Sequence, residues 1–95
     1  MTKEEFLAKE AAGEAVLVDI RELPELSVVP SPARALQMPL SDITEPESLA
    51  KLPKDKTIVT LCASGGRCGP ANSFLANEGY VVDMIEGGLM GWGID

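Results

Sequence analysis

Apolar positions along this chain switch between a helical and a strand period, and the switches divide it into alternating elements. Phe6, Leu7 and Ala11 form a short helical face behind Thr2 and Glu5, which have the spacing of a capping box, and Gly13 follows where a glycine cap ends such a helix. Residues 15 to 20 are a near-continuous apolar run broken only by Asp19, the pattern of a buried parallel strand, and Arg21 follows at once. Pro24, Pro30 and Pro32 limit any helix in 22 to 34 to a short piece around Glu22 to Leu26 and leave the rest extended. Ala35 to Met38 predicts a brief strand that Pro39 ends. Thr44 and Glu47 repeat the capping-box spacing, with Pro46 in the first turn, for a helix over Ser48 to Lys51 that Pro53 stops.

The β-branched, apolar stretch from Thr57 predicts a buried strand ending at Cys62. After a loop of small residues, Ala71, Phe74 and Leu75 begin a helical stripe that runs to about Asn77, with Gly79 at the place of a C-cap. Tyr80 to Ile85 is the next strand, Gly87 and Gly88 a tight turn, and Leu89 to Trp92 a last helical turn. Phe6, Phe74 and Tyr80 read as core. Helices alternating with apolar strands predict a parallel α/β sheet with helices on both faces. Ligands of such sheets collect at the carboxyl ends of the strands, where Asp19, Arg21 and Cys62 fall.

Length and charge narrow what this fold can do. A chain of 95 residues closes one core, so 1–95 is expected to be a single domain. Eight basic against fifteen acidic residues give a formal charge of −7, which repels phosphate backbones and anionic membranes; neither nucleic acid nor a membrane is expected as a partner. There is no apolar run long enough to span a bilayer, and the opening Met-Thr-Lys-Glu-Glu is acidic where a signal peptide is basic, so a cytoplasmic location is expected. Two cysteines are too few for a disulfide framework or a four-ligand zinc site, and histidine is absent. Cysteine–histidine proteolysis, histidine acid–base catalysis and imidazole metal sites are thereby excluded, and no metal or cofactor is called for.

The candidate chemistry lies in Leu61 to Cys68, where a strand delivers a cysteine into small residues followed by arginine. Ala63, Ser64, Gly65 and Gly66 allow successive backbone N–H groups to turn inward as an anion-binding nest at the positive end of the following helix. That setting favours a thiolate, the nucleophilic form of cysteine, over an inert buried thiol. Arg67 adds a permanent fork of donors for an oxyanion.

With these pieces in order, the chain resembles the rhodanese family of sulfurtransferases, specifically its single-domain members. Val18-Asp19-Ile20-Arg21-Glu22 is similar to the family's Asp-Val-Arg-Glu segment, and Met38-Pro39-Leu40 to its Ile-Pro-Leu. The loop from Cys62 to Arg67 resembles its Cys-Arg-Ser-Gly-x-Arg active-site loop, and Glu86 to Trp92 its Glu-Gly-Gly-x-x-x-Trp ending. The likeness covers roughly residues 16 to 92. It implies a five-stranded, mainly parallel sheet flanked by helices, and a ping-pong transfer of sulfane sulfur. Cys62 would take sulfur from thiosulfate or a persulfide donor, hold it as a persulfide, and pass it to cyanide, a thiol or a sulfur-relay protein. The nest and Arg67 would stabilise the anions, so no histidine base is required. The six-residue loop has the size typical of the sulfurtransferases, whereas the family's phosphatase relatives carry one residue more. Two departures stand out: residues 28 to 35, Val-Val-Pro-Ser-Pro-Ala-Arg-Ala, lack the family's histidine-bearing turn, and Ala63 replaces the common arginine after the cysteine. The missing charge points to a persulfide or a partner protein as donor as readily as to thiosulfate.

Two other readings compete. A rhodanese-like binding or regulatory module would keep the fold without turnover, and a redox protein would pair Cys62 with Cys68 as reactive and resolving thiols. Helical spacing puts Cys68 on the stripe of Ala71 and Leu75, facing the core, while a Cys62 sulfur aimed into the nest would face away from it. Packing is therefore the favoured role for Cys68. For Asp19 and Arg21 the favoured role is a structural ion pair at the sheet edge.

Overall fold

A computed structural model describes residues 1–63 and 68–93. Its first helix, α1 (Lys3–Ala11), opens on the expected capping box: the Thr2 hydroxyl accepts from the Glu5 N–H at 3.1 Å, and the Glu5 carboxylate accepts from the Thr2 N–H at 2.8 Å. The Thr2 backbone donor, and after it the Thr2 hydroxyl, hold the Glu5 carboxyl below its usual value.

Four strands follow in the order of the hydrophobic runs: β1 (Ala15–Asp19), β2 (Leu36–Gln37), β3 (Thr57–Leu61) and β4 (Val82–Met84). All are parallel, in the spatial order β2-β1-β3-β4, with Ala15 opposite Thr57 and Asp19 opposite Leu61 in the central pair. The likeness to rhodaneses implied five strands; among the described residues there are four. Beyond β4, Met1 occupies the free edge, its amino group donating to the Met84 carbonyl at 2.6 Å and its carbonyl accepting from the Glu86 N–H at 2.9 Å. Met1 makes this one pair of bonds along the edge.

The remaining helices are α2 (Leu23–Val28), α3 (Pro46–Leu49), α4 (Cys68–Asn77) and α5 (Gly88–Trp92). Helix α2 runs two residues past its expected end, up to Val29, whose backbone is extended ahead of Pro30; Pro24 sits in the first turn, where its missing N–H costs no bond. In α3 the expected Thr44–Glu47 box does not form: the N-cap is Glu45, without a side-chain bond. Proline at 46 drives the preceding residue into extended backbone, which moves the cap to Glu45. Helix α4 ends as expected, with Gly79 at φ 93°, its N–H on the Ala76 carbonyl and the Tyr80 N–H on that of Leu75, each at 3.1 Å. This paired closure needs a left-handed residue, which glycine adopts without strain. None of the described helices is long and apolar enough to cross a membrane.

Side chains alternate across the sheet and fill two cores. On one face Val18, Ile20, Ile58 and Cys62 pack with Cys68, Ala71 and Leu75 of α4 and with Tyr80. On the other, Leu17, Val59, Leu61 and Ile85 pack with Phe6 of α1 and Trp92 of α5, whose rings meet edge to face at 5.7 Å. Phe74, read as core, is only half-buried at the margin of the first cluster.

One polar knot ties α4 to the sheet. The buried Thr60 hydroxyl donates to Asn72 Oδ1 at 2.9 Å, and Asn72 Nδ2 donates to the Asp83 carbonyl at 3.1 Å, so one side chain fixes the helix against β3 and β4 together. Replacing Asn72 by alanine removes both bonds and leaves the Thr60 hydroxyl with the Asp83 carbonyl at 3.3 Å, and is expected to cost about 0.5–1.5 kcal/mol. Urea unfolding measures this; an unchanged midpoint would show that the knot does not hold the helix.

Candidate active site at the carboxyl end of the central strands

From β1 the chain moves outward to β2, then crosses back to β3 and continues to β4 on the other side. The order of connection therefore reverses between β1 and β3, and in open parallel sheets the crevice at such a reversal is where ligands bind. Cys62 is the residue that follows Leu61 out of β3 at this point.

The backbone of Cys62 is tied down from the far end of the chain. Its carbonyl accepts the Leu89 N–H at 2.8 Å, so the first turn of α5 sits on the cysteine's own peptide. That turn folds back sharply on the residues before it. A Cβ at Gly91 would lie 1.8 Å from the Glu86 carbonyl oxygen, which is why a glycine stands there.

The Cys62 side chain is fully buried and faces α4. Cys68 is the first residue of α4, and its Sγ–H donates to Cys62 Sγ at 2.9 Å, both residues being thiols. Here the sequence reading is half right. Cys68 is on the core stripe with Ala71 and Leu75, as the helical spacing predicts, but the Cys62 sulfur does not face away from that stripe. Alternation along β3 places Cys62 on the same side of the sheet as Ile58, and α4 covers that side, so the stripe meets the sulfur rather than avoiding it. Ala63 is half-buried next to Cys62. The expected nest and anion-binding residues Ser64, Gly65, Gly66 and Arg67 lie outside the described residues.

Asp19 and Arg21 form a buried, multiply bonded pair. The guanidinium donates through Nε and Nη2 to both carboxylate oxygens at 2.8 to 3.2 Å, and the Arg21 N–H donates to Asp19 Oδ1 at 3.0 Å. The remaining fork reaches out of the pair, Nη1 donating to the Val29 carbonyl at 2.9 Å. Asp19 shares the strand face of Leu17, opposite to the face of Cys62, so the pair braces the strand ends from the other side of the sheet. It also holds the segment that departs from the family pattern: with Val29 anchored, the Ala35 N–H closes a turn on the Pro32 carbonyl, and Arg34 pairs with Glu10 of α1. Among the described residues no acidic or cysteine cluster could hold a metal ion.

Sequence reasoning passed over Thr60, Asn72 and the Leu89 N–H. A signal existed for two of them: Thr60 is a polar residue within an apolar strand, and Asn72 lies four residues after Cys68, on the same side of the helix. A backbone donor such as Leu89 leaves no mark in the residue types.

Known proteins extend this picture. The family model described as rhodanese-like domain matches residues 2–95. The chain is 36% identical over 83 residues to "Putative sulfurtransferase YtwF" of Bacillus subtilis, a match covering 87% of this chain and 78% of that one. It is 36% identical over 82 residues to a protein named sulfurtransferase from Allochromatium vinosum, covering 83% and 72%. Among solved structures, a rhodanese-related protein from Thermoplasma volcanium superposes with a TM-score of 0.72 at 31% identity, over 87% of this chain and 80% of that one.

Proposed function

Since this chain belongs to the rhodanese-like domain family, with relatives named as sulfurtransferases, we propose that it is a single-domain sulfurtransferase with Cys62 as its sulfur carrier. The observation that carries this reading is the position of Cys62: at the carboxyl end of β3, beside the reversal of the sheet, with its carbonyl fixed by Leu89.

The transfer has two halves. The Cys62 thiolate attacks the sulfane sulfur of thiosulfate, the donor's S–S bond breaks, and sulfite leaves with the electron pair. An acceptor, cyanide or a thiolate, then attacks the outer sulfur of the persulfide and restores the Cys62 thiolate. Each half turns on an anion at the same place, which the loop Ala63 to Arg67 would stabilise through backbone N–H groups and the Arg67 guanidinium. Alanine at 63 removes a charge that would help hold a free dianion, which favours a persulfide donor, small or carried on a relay protein. A cytoplasmic setting suits the chemistry, because thiols persist there.

Intact mass spectrometry of the reduced Cys68→Ala chain, in which Cys62 is the one cysteine left, mixed briefly with thiosulfate or with glutathione persulfide, is the direct test. A gain of one sulfur atom, removed by cyanide as thiocyanate, is expected. No gain from either donor would exclude the carrier role.

A further inference from the structure

The transfer just described leaves Cys68 unused, yet its sulfur lies 2.9 Å from that of Cys62 and both side chains are sealed from solvent. An acceptor from solution must reach the outer sulfur of a Cys62 persulfide. Cys68 lies against Cys62 Sγ, which is the inner one. We propose that Cys68 is a resolving thiol: it attacks Sγ of the Cys62 persulfide, releases the sulfane sulfur as hydrogen sulfide, and leaves a Cys62–Cys68 disulfide. The inference rests on Cys62 being the sulfur carrier.

Atoms and electrons balance within the chain. The bond between Cys62 Sγ and the outer sulfur breaks, that sulfur leaves with the pair and is reduced to sulfide, and the Cys68 sulfur is oxidised as its bond to Cys62 Sγ forms, Cys62 Sγ keeping the level it had in the persulfide. The Cys68 proton leaves with the sulfide. Little movement is needed, since closing from 2.9 Å to the roughly 2.05 Å of a disulfide is a shift of under about 1 Å. A nucleophile held this near reacts as though at roughly 10⁵ M or more, beyond what any dissolved thiol supplies.

This chemistry specifies a partner class. The disulfide ends each cycle and must be reopened, and a monothiol forms a mixed disulfide that the neighbouring cysteine expels again. A dithiol reductant removes it in two steps without that reversal. In this reading the chain converts sulfane sulfur to sulfide at the expense of a dithiol.

The test is a single turnover without oxygen, cyanide or added thiol. Reduced wild-type chain, Cys68→Ser and Cys68→Ala are each given one equivalent of thiosulfate or of glutathione persulfide, and sulfite, sulfide and intact mass are followed. The wild type is expected to release sulfide and to end two hydrogens lighter than the reduced chain, a change that a dithiol such as dithiothreitol reverses. The Cys68 variants are expected to keep one added sulfur and to release no sulfide. A wild type that keeps the added sulfur, releasing none as sulfide, overturns the resolving role alone, whatever the variants do. Failure of wild type and variants alike to take sulfur from either donor overturns the carrier reading and this inference with it.

Discussion

Cys62→Ser is expected to leave a folded chain that carries no sulfur at all. The substitution keeps the shape of the side chain and its place under α4, while an oxygen in that position neither ionises at neutral pH nor forms a persulfide. Secondary structure and unfolding midpoint should stay close to those of the wild type, and no mass gain should follow treatment with a donor. The pairing of these two measurements matters, because the cysteine is part of a packed core. Sulfur transfer surviving in the serine variant would move the carrier elsewhere, and Cys68 would be the sole remaining thiol.

Asp19→Ala is expected to produce the largest loss of stability among single changes near the site. It leaves the Arg21 guanidinium only 2% exposed, with the Val29 carbonyl as the acceptor that remains of those described here. Breaking a buried ion pair from one side costs about 3–5 kcal/mol, because the surviving charge stays out of water. Against a typical total of about 5–15 kcal/mol, such a variant sits at the margin of folding. Replacing both partners together, Asp19→Val with Arg21→Met, removes the stranded charge and should recover most of the loss. Urea unfolding of the three variants decides the matter. A single variant losing less than about 1 kcal/mol would mean that the guanidinium swings out to water.

Much of the fold was legible in the chain because its signals are local. Runs such as Ala15 to Asp19 and Thr57 to Leu61 are buried on both faces, so their apolar continuity is itself the mark of a central parallel strand. Glycine at 79 and the Thr2–Glu5 pair announce helix ends by chemistry that acts within a few residues. Thr44 and Glu47 mimic that signal and fail, since Pro46 dictates the backbone one residue later. The edge of β4 was harder to foresee, because a fifth strand is a question of which segment reaches that edge, and here Met1 reaches it. The meeting of Cys62 with Cys68 was misread for a related reason. Helical spacing locates Cys68 on its stripe, but where that stripe lands on the sheet is a tertiary fact. The pairing of Asp19 with Arg21 was legible because two opposite charges two residues apart at a strand end have each other as near neighbours.

The bond from Leu89 to the Cys62 carbonyl gives the chain an order of maturation. The strand that delivers Cys62 is made well before α5. A nascent chain halted before Leu89 contains the residues of β1 and β3 and the cysteine, but the Cys62 carbonyl still lacks this donor. The Cys62 peptide therefore gains its Leu89 bond only after all four described strands have been synthesised.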